Sequence, residues 1–311
     1  MNPPAPRVFD ISPEVSAAMA GGAPVVALES AVFSHGLPRG VATATARHLD
    51  EIVRAGGATP ALVAVKTGRV LVGGDLREIG YLLHAKTAKI TERDLAVAMA
   101  QRQSGGTTVS ATAAAAAASG IRVMATGGIG GVHLGAEESF DVSADLDALS
   151  RHRVVVVCAG AKAICDQAKT AEMLETLGVT VVGYRTDTMP AFYARSNGLP
   201  VPYRAESPVE IAAIAHAKRD LGDRGALLVV QPVPEGAALD GRVVDEAVQA
   251  ALSNARAAGI RGGAVTPYLL KAIDAATGGR ALGANLALLE ANAGLAAAIA
   301  SALRAGAAPH S

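Results

Sequence analysis

Short runs of apolar, β-branched residues alternate along this chain with longer stretches in which apolar residues return every three or four positions. The first run, PVVAL at 24–28, predicts a strand, and the stretch 41–55 after it predicts a helix. Residues 60–65 (PALVAV) predict a second strand, and 76–84 and 91–102 predict helices. Residues 111–118 are nearly all alanine, the best helix former, and predict another. Further strands are expected at 121–125, 154–158, 179–184 and 226–231, and a long helix over about 284–304. Strands that alternate with helices imply an α/β fold: three layers, α/β/α, around a largely parallel or mixed central sheet. No linker or internal repeat interrupts the pattern, so residues 1–311 read as one domain, with flexible ends at about 1–10 and 305–311.

Composition narrows the function more than the fold. Twenty-eight basic and 28 acidic residues leave a formal net charge of zero, so no basic field is available for general nucleic-acid binding. A small anionic substrate needs only a local site and stays open. The two cysteines, Cys158 and Cys165, form neither a disulfide framework nor a zinc knuckle, and are expected to be reduced in a cytoplasmic protein. The N-terminal residues lack a charged-then-apolar signal pattern, and no 18-residue apolar stretch is free of charges and breakers, so no membrane span is expected.

Ligands of open α/β sheets gather beyond the carboxyl ends of the strands, so the residues that follow each strand carry the chemistry. Glu29 ends the first strand. A carboxylate there is partly desolvated and suits general acid work, although a helix cap or a salt bridge would place it equally well. Lys162 follows the strand at 154–158 and is expected to open the next helix. Burial and the positive helix end would both favour the free amine, a nucleophile toward carbonyl carbon; a surface lysine lying along the fold is the other reading. In SGGTTVSAT, Thr107 or Thr108 could cap the alanine-rich helix. Its free N–H groups, with Lys89 upstream, would hold a phosphate; a merely capped helix looks the same.

The loop TGGIGGVH after the strand at 121–125 does not complete G-x-G-x-x-G, because His133 stands where the last glycine would be. Neither G-K-[ST] nor G-x-S-x-G occurs. In FDVSADL, an extended backbone would point Asp141, Ser143 and Asp145 the same way, giving hard oxygen ligands for Mg²⁺ or Mn²⁺. Alternatively Ser143 or Asp145 caps a helix that runs through Leu149.

Taken in order, ALESAVFSHGLP, AKITERDL, SGGTTVSAT, TGGIGGVH, FDVSADL, CAGAKAICD, TDTMPAFYARSNG, VTPYLL and GANLALLEANA resemble the pseudouridine-5′-phosphate glycosidase family, which includes the indigoidine synthase A-like proteins. The resemblance covers nearly the whole chain. It implies reversible cleavage of pseudouridine 5′-phosphate to uracil and ribose 5-phosphate through a lysine Schiff base with ring-opened ribose. By matching motifs, it implies Lys162 as nucleophile, Glu29 as proton donor, Lys89 and the Thr108–Val109 backbone as phosphate contacts, and Asp141 as metal ligand. Ser143, Ala144 and Asp145 are implied as substrate contacts, and Thr126, His133 and Asn285 as pocket residues. The resemblance further implies Mn²⁺, with Mg²⁺ a possible substitute, and a homotrimer. Ala31 and Leu134 depart from the family pattern, which usually has Thr and Arg there.

Overall fold

The computed structural model describes residues 8–74, 80–82, 87–260 and 265–305, with the side chains of Thr266 and Pro267 excepted. Its elements in chain order are β1 (Phe9–Ile11), α1 (Pro13–Ala20), β2 (Val25–Leu28), α2 (Arg39–Ala55), β3 (Thr59–Lys66), β4 (Arg69–Val72), β5 (Ala88–Ile90) and α3 (Leu95–Ala100). Next come β6 (Gly105–Thr107), α4 (Val109–Ser119), β7 (Val123–Ala125), α5 (Ala136–Ser139), α6 (Ala144–Arg151), β8 (Val155–Cys158), α7 (Gln167–Thr176) and β9 (Thr180–Tyr184). The chain continues through β10 (Tyr203–Ala205), α8 (Pro208–Asp220), β11 (Leu227–Val230), α9 (Gly241–Ala257), α10 (Val265–Ala276) and α11 (Arg280–Ala305).

The strands form one sheet in the order β1-β4-β3-β2-β7-β8-β11-β9-β10, with β6 against β3 and β5 against β6. From β3 to β10 every neighbouring pair is parallel. Every residue of β2, β7, β8 and β11 is buried, which requires cover on both faces and explains their unbroken Val/Ala/Leu runs. α11 packs on β2, β7 and β8, while α4 packs on β2, β3 and β7. The expected α/β fold with a largely parallel sheet between helices is the observed one.

α11 is long and apolar enough, with a mean hydropathy of 1.6 over 18 residues, to cross a membrane by length and composition. Here it is a core helix: Leu288, Leu289, Leu295 and Ile299 are buried against the sheet and its flanking helices. Each such side chain contributes about 1.5–3 kcal/mol.

Two expectations change. The N-terminal end was expected to be flexible to about residue 10, yet Phe9–Ile11 pairs in register with Val70–Val72 and closes the sheet edge. The helix expected at 91–102 is shorter, a 3₁₀ turn at Glu92–Asp94 followed by α3. The helix expected at 76–84 lies largely outside the described residues, as do 1–7 and 306–311.

The register of β3 prepares the site. β3 pairs with β2 only through Thr59–Leu62, and the same edge then pairs Ala64 and Val65 with β6. Strand β6, antiparallel to β3, and β5 beside it therefore end close to where β2 stops at Leu28. Gly106 makes that approach possible, since a Cβ there would run into Ala31 backbone and the Ser34 hydroxyl. Ser30 Oγ donates to Val63 O at 2.6 Å and accepts from Thr107 N at 3.0 Å, while Thr107 Oγ1 donates to Val63 O at 2.7 Å.

Candidate active site

Glu29 leaves β2 at the carboxyl edge of the sheet and is 5% exposed. Thr126, the residue after β7, donates its hydroxyl to Oε1 of Glu29. Burial is the largest influence on Glu29 and raises its pKa above the usual carboxylate value; Lys162, Thr126 and Lys89 oppose that rise, and Asp145 reinforces it. Five expected residues therefore share one electrostatic neighbourhood, because Lys89 in turn feels Lys162, Asp145, Glu29 and Asp141. Lys89 lies on β5, open to solvent yet ringed by protein. Desolvation, and then the Lys162 ammonium, lower its pKa from the usual lysine value.

Lys162 stands in the loop after β8, held by its amide to Ile129 O at 2.9 Å and by its carbonyl to Gln167 Nε2 at 3.2 Å. Among the described residues its ammonium has neither a hydrogen-bond nor an ion-pair partner. The helix it was expected to open starts only at Gln167, capped by Asp166, which accepts from Lys169 N. The loop pairs instead with the glycine-rich segment after β7, through Ile129 against Ala161 and His133 against Cys165. Lys162 therefore does not sit at a helix end; its setting is a loop braced by a neighbouring loop.

Asp145 does not lie on an extended run with Asp141 and Ser143. Ser143 caps α6, accepting from Asp145 N at 3.2 Å, and Ala144 begins the helix. Asp145 is buried in its first turn, where Oδ1 accepts from Ser110 N at 2.9 Å and Oδ2 from Gly130 N at 2.8 Å. It ties the start of α4 to the glycine loop. Gly130 has no room for a Cβ against Ser143 and Asp145, so its role is close packing.

The start of α4 offers Val109 and Ala111 amides that, among the described residues, donate to no carbonyl. Thr108 occupies the cap position without a capping bond; its hydroxyl meets Ser110 Oγ at 2.9 Å, and its amide donates to Ile90 O, one residue from Lys89. Asp141 is 58% exposed, with Oδ1 3.5 Å from His133 Nδ1. That nitrogen also lies 3.2 Å from Asp141 O, so the His133 ring faces both the backbone and the side chain of Asp141. Asn285, on α11, is buried with its amide oxygen close to Gly127, and among the described residues it has no side-chain hydrogen bond.

Among the described residues no three His, Cys, Asp or Glu side chains converge as a metal cage. A divalent ion with an all-protein shell does not fit. A hard cation held by one carboxylate and water does fit the exposed Asp141. Cys158 and Cys165 are free and buried, and burial pushes their thiols up to about 12 and about 11.

Sequence reasoning missed Asn292, which is hydrogen-bonded to the glycine loop, and Gln231, which is bonded to Asn292. Seven residues separate Asn285 and Asn292, placing both on one face of a helix otherwise rich in Ala and Leu. That spacing was the available signal.

The sequence profile of the indigoidine synthase A-like protein family matches residues 14–302. The chain is 51% identical over 298 residues to a pseudouridine-5′-phosphate glycosidase of Methylobacterium nodulans, covering 96% of this chain and 88% of the relative. It is 48% identical to the enzyme of that name from Caldanaerobacter subterraneus subsp. tengcongensis, covering 94% and 96% of the two chains. The crystal structure of the prealnumycin C-glycosynthase AlnA, in complex with ribulose 5-phosphate, superposes with a TM-score of 0.90 at 37% identity, over 97% of this chain and 99% of that one. An indigoidine synthase A-like protein from Thermotoga maritima superposes at 0.87 with 36% identity, over 95% and 96%.

Proposed function

The chain belongs to the indigoidine synthase A-like protein family, and on that premise we propose that it is a pseudouridine-5′-phosphate glycosidase, interconverting pseudouridine 5′-phosphate and water with uracil and ribose 5-phosphate. The observation that carries the reading is the meeting of a buried carboxyl, Glu29, with two lysines, Lys162 and Lys89, at one end of the parallel strands.

A carbon–carbon glycosidic bond has no leaving oxygen or nitrogen to protonate. The ribose must first be opened. Lys162 Nζ bonds to C1′ as the C1′–O4′ bond breaks, and Glu29 gives its proton to O4′. Burial raises the Glu29 pKa and so favours the protonated form that this step uses. The lysine nitrogen, cationic after its attack, gives up a proton and uracil C5 takes one; the lone pair so freed forms the C=N bond as the C1′–C5 bond breaks. Water adds to the imine and releases ribose 5-phosphate with the free amine. The paired carboxylates of ordinary glycosidases are not needed.

The substrate phosphate is assigned to Lys89 and the Val109 amide at the start of α4, with Thr108 beside them. Ser143, Ala144 and Asp145 form the wall that positions the sugar. His133 and Asn285 supply polar contacts, Asn285 through an amide that is otherwise unpartnered. Asp141 would hold Mn²⁺, or Mg²⁺ in its place. Such an ion supplies positive charge and ordered water next to the anionic substrate. The oligomer is assigned as a homotrimer and the compartment as cytoplasm, in keeping with two free buried thiols.

The test is turnover: protein with uracil, ribose 5-phosphate and Mn²⁺, followed by mass-resolved chromatography. Formation of pseudouridine 5′-phosphate supports the assignment. No product from folded, metal-supplied protein overturns it and favours another pentose-phosphate C–C bond reaction, the class to which the C-glycosynthase neighbour points.

A further inference from the structure

The hydroxyl that meets Glu29 is itself held from behind. Asn292, 1% exposed on α11, donates through Nδ2 to Thr126 O at 2.8 Å and Gly127 O at 3.3 Å. Its Oδ1 accepts from Gln231 Nε2 at 2.8 Å. Gln231 is the residue after β11, and its amide donates to Cys158 O at 3.0 Å. The amide of Thr126 donates to Val157 O at 3.0 Å. The turn that carries Thr126 is thus gripped by α11 and β8, while Asn292 is locked by β11.

We propose that Gln231, Asn292 and Thr126 form a hydrogen-bonded relay that positions Glu29, with Thr126 acting on the carboxyl group rather than on substrate. The proposal rests on the reading of Glu29 as the acid of the reaction. A threonine hydroxyl has one proton to give. Given to Oε1, it makes that oxygen the acceptor, so the proton of a neutral Glu29 resides on Oε2. Thr126 therefore selects the oxygen from which the proton is delivered. A buried amide on an apolar helix is costly unless satisfied. The described bonds of the Asn292 side chain all go to this turn and to Gln231, which places its role there. Asn285, two turns earlier on the same helix, has no such bonds and stays free for a ligand. Positional control of this kind matters because a small misplacement of a reacting group costs about 100-fold in rate.

Two measurements test the relay. In the first, Glu29 is titrated by carbon-13 NMR in glutamate-labelled protein without substrate, its signal assigned by its loss in Glu29→Gln. The donor stabilises the ionised carboxylate, so Thr126→Val should move the titration to higher pH, Thr126→Ser should restore it, and Asn292→Ala should move it in the same direction as Thr126→Val. An unmoved titration in Thr126→Val overturns the relay. In the second, Thr126→Val should lower kcat about 10- to 100-fold with KM within about twofold, and Asn292→Ala should add little in the Thr126→Val background. A raised KM with unchanged kcat makes Thr126 a substrate contact, and additive losses make Asn292 independent of it; either result overturns the proposal. If Asn292→Ala fails to fold, the Thr126→Val and Thr126→Ser pair still decides, because neither alters the backbone carbonyl that Asn292 holds. The titration needs no turnover, so a wild-type protein inactive on uracil and ribose 5-phosphate refutes the reaction while the relay is judged separately.

Discussion

Replacing Asp145 with alanine removes the joint between α4 and the glycine loop. Its two oxygens accept from Ser110 N and Gly130 N at 2.9 and 2.8 Å, and both donors are buried. A hydrogen bond to a charged group contributes about 1.5–3 kcal/mol, and a buried donor left unmade keeps its desolvation cost. Two such bonds give a loss of about 3–6 kcal/mol for Asp145→Ala. Asp145→Asn keeps one acceptor and turns its NH₂ toward the other N–H, so it should lose about half of that, roughly 1.5–3 kcal/mol. The chain contains no tryptophan, so urea unfolding is best followed by circular dichroism. The order predicted is wild type, Asn, then Ala, with turnover reduced in both variants because Gly130 and the start of α4 are no longer held together. Asp145→Ala within about 1 kcal/mol of wild type would refute the account of this joint.

Glu29→Gln should lower kcat by about 100- to 10,000-fold with little change in KM, since general acid catalysis contributes that much. Burial raises the folded pKa of Glu29 above its unfolded value of about 4.3, so its contribution to stability is full below that value and is lost as pH rises through the folded pKa. Glu29→Gln should therefore gain stability relative to wild type as pH rises through that window, and a pH-independent difference in unfolding free energy would contradict it. Lys89→Met should raise KM for ribose 5-phosphate about tenfold or more while kcat changes less, read from initial rates; an unchanged KM removes the phosphate role. Asp141→Ala should shift the Mn²⁺ activation curve to higher concentration, and an unchanged curve places the ion elsewhere.

The parallel core was legible because its strands are buried on both faces. VVAL, VVVC and LLVV are unbroken apolar runs of strand length, rich in valine. Glu29 and Lys162 could be located for the same reason, since each follows such a run. β6 was not legible. Its GGT sequence reads as a turn, and only the edge of β3 beyond Leu62 makes it a strand. With β6 unseen, Lys89 could not be placed on a strand at the end of β2. The segment 141–145 carried two readings that spacing could not separate; Ser143 settles it by capping α6, which turns Asp145 inward and leaves Asp141 outside. Lys162 sits five residues before α7, because the stretch between them pairs with the preceding glycine loop, a contact between loops that no periodicity announces. Asn292 was hidden for a related reason. Its partners are backbone carbonyls of a distant turn and the side chain of Gln231, and only the spacing from Asn285 hinted at a polar stripe.

The central claim is that Lys162 forms the covalent bond to the sugar. Wild-type protein incubated with ribose 5-phosphate and cyanoborohydride, then digested and sequenced by mass spectrometry, tests it directly. One reduced pentose-phosphate adduct is expected, on Lys162, absent from a folded Lys162→Ala variant that has also lost turnover. An adduct on Lys89 in place of Lys162, or wild-type turnover by Lys162→Ala, would contradict it.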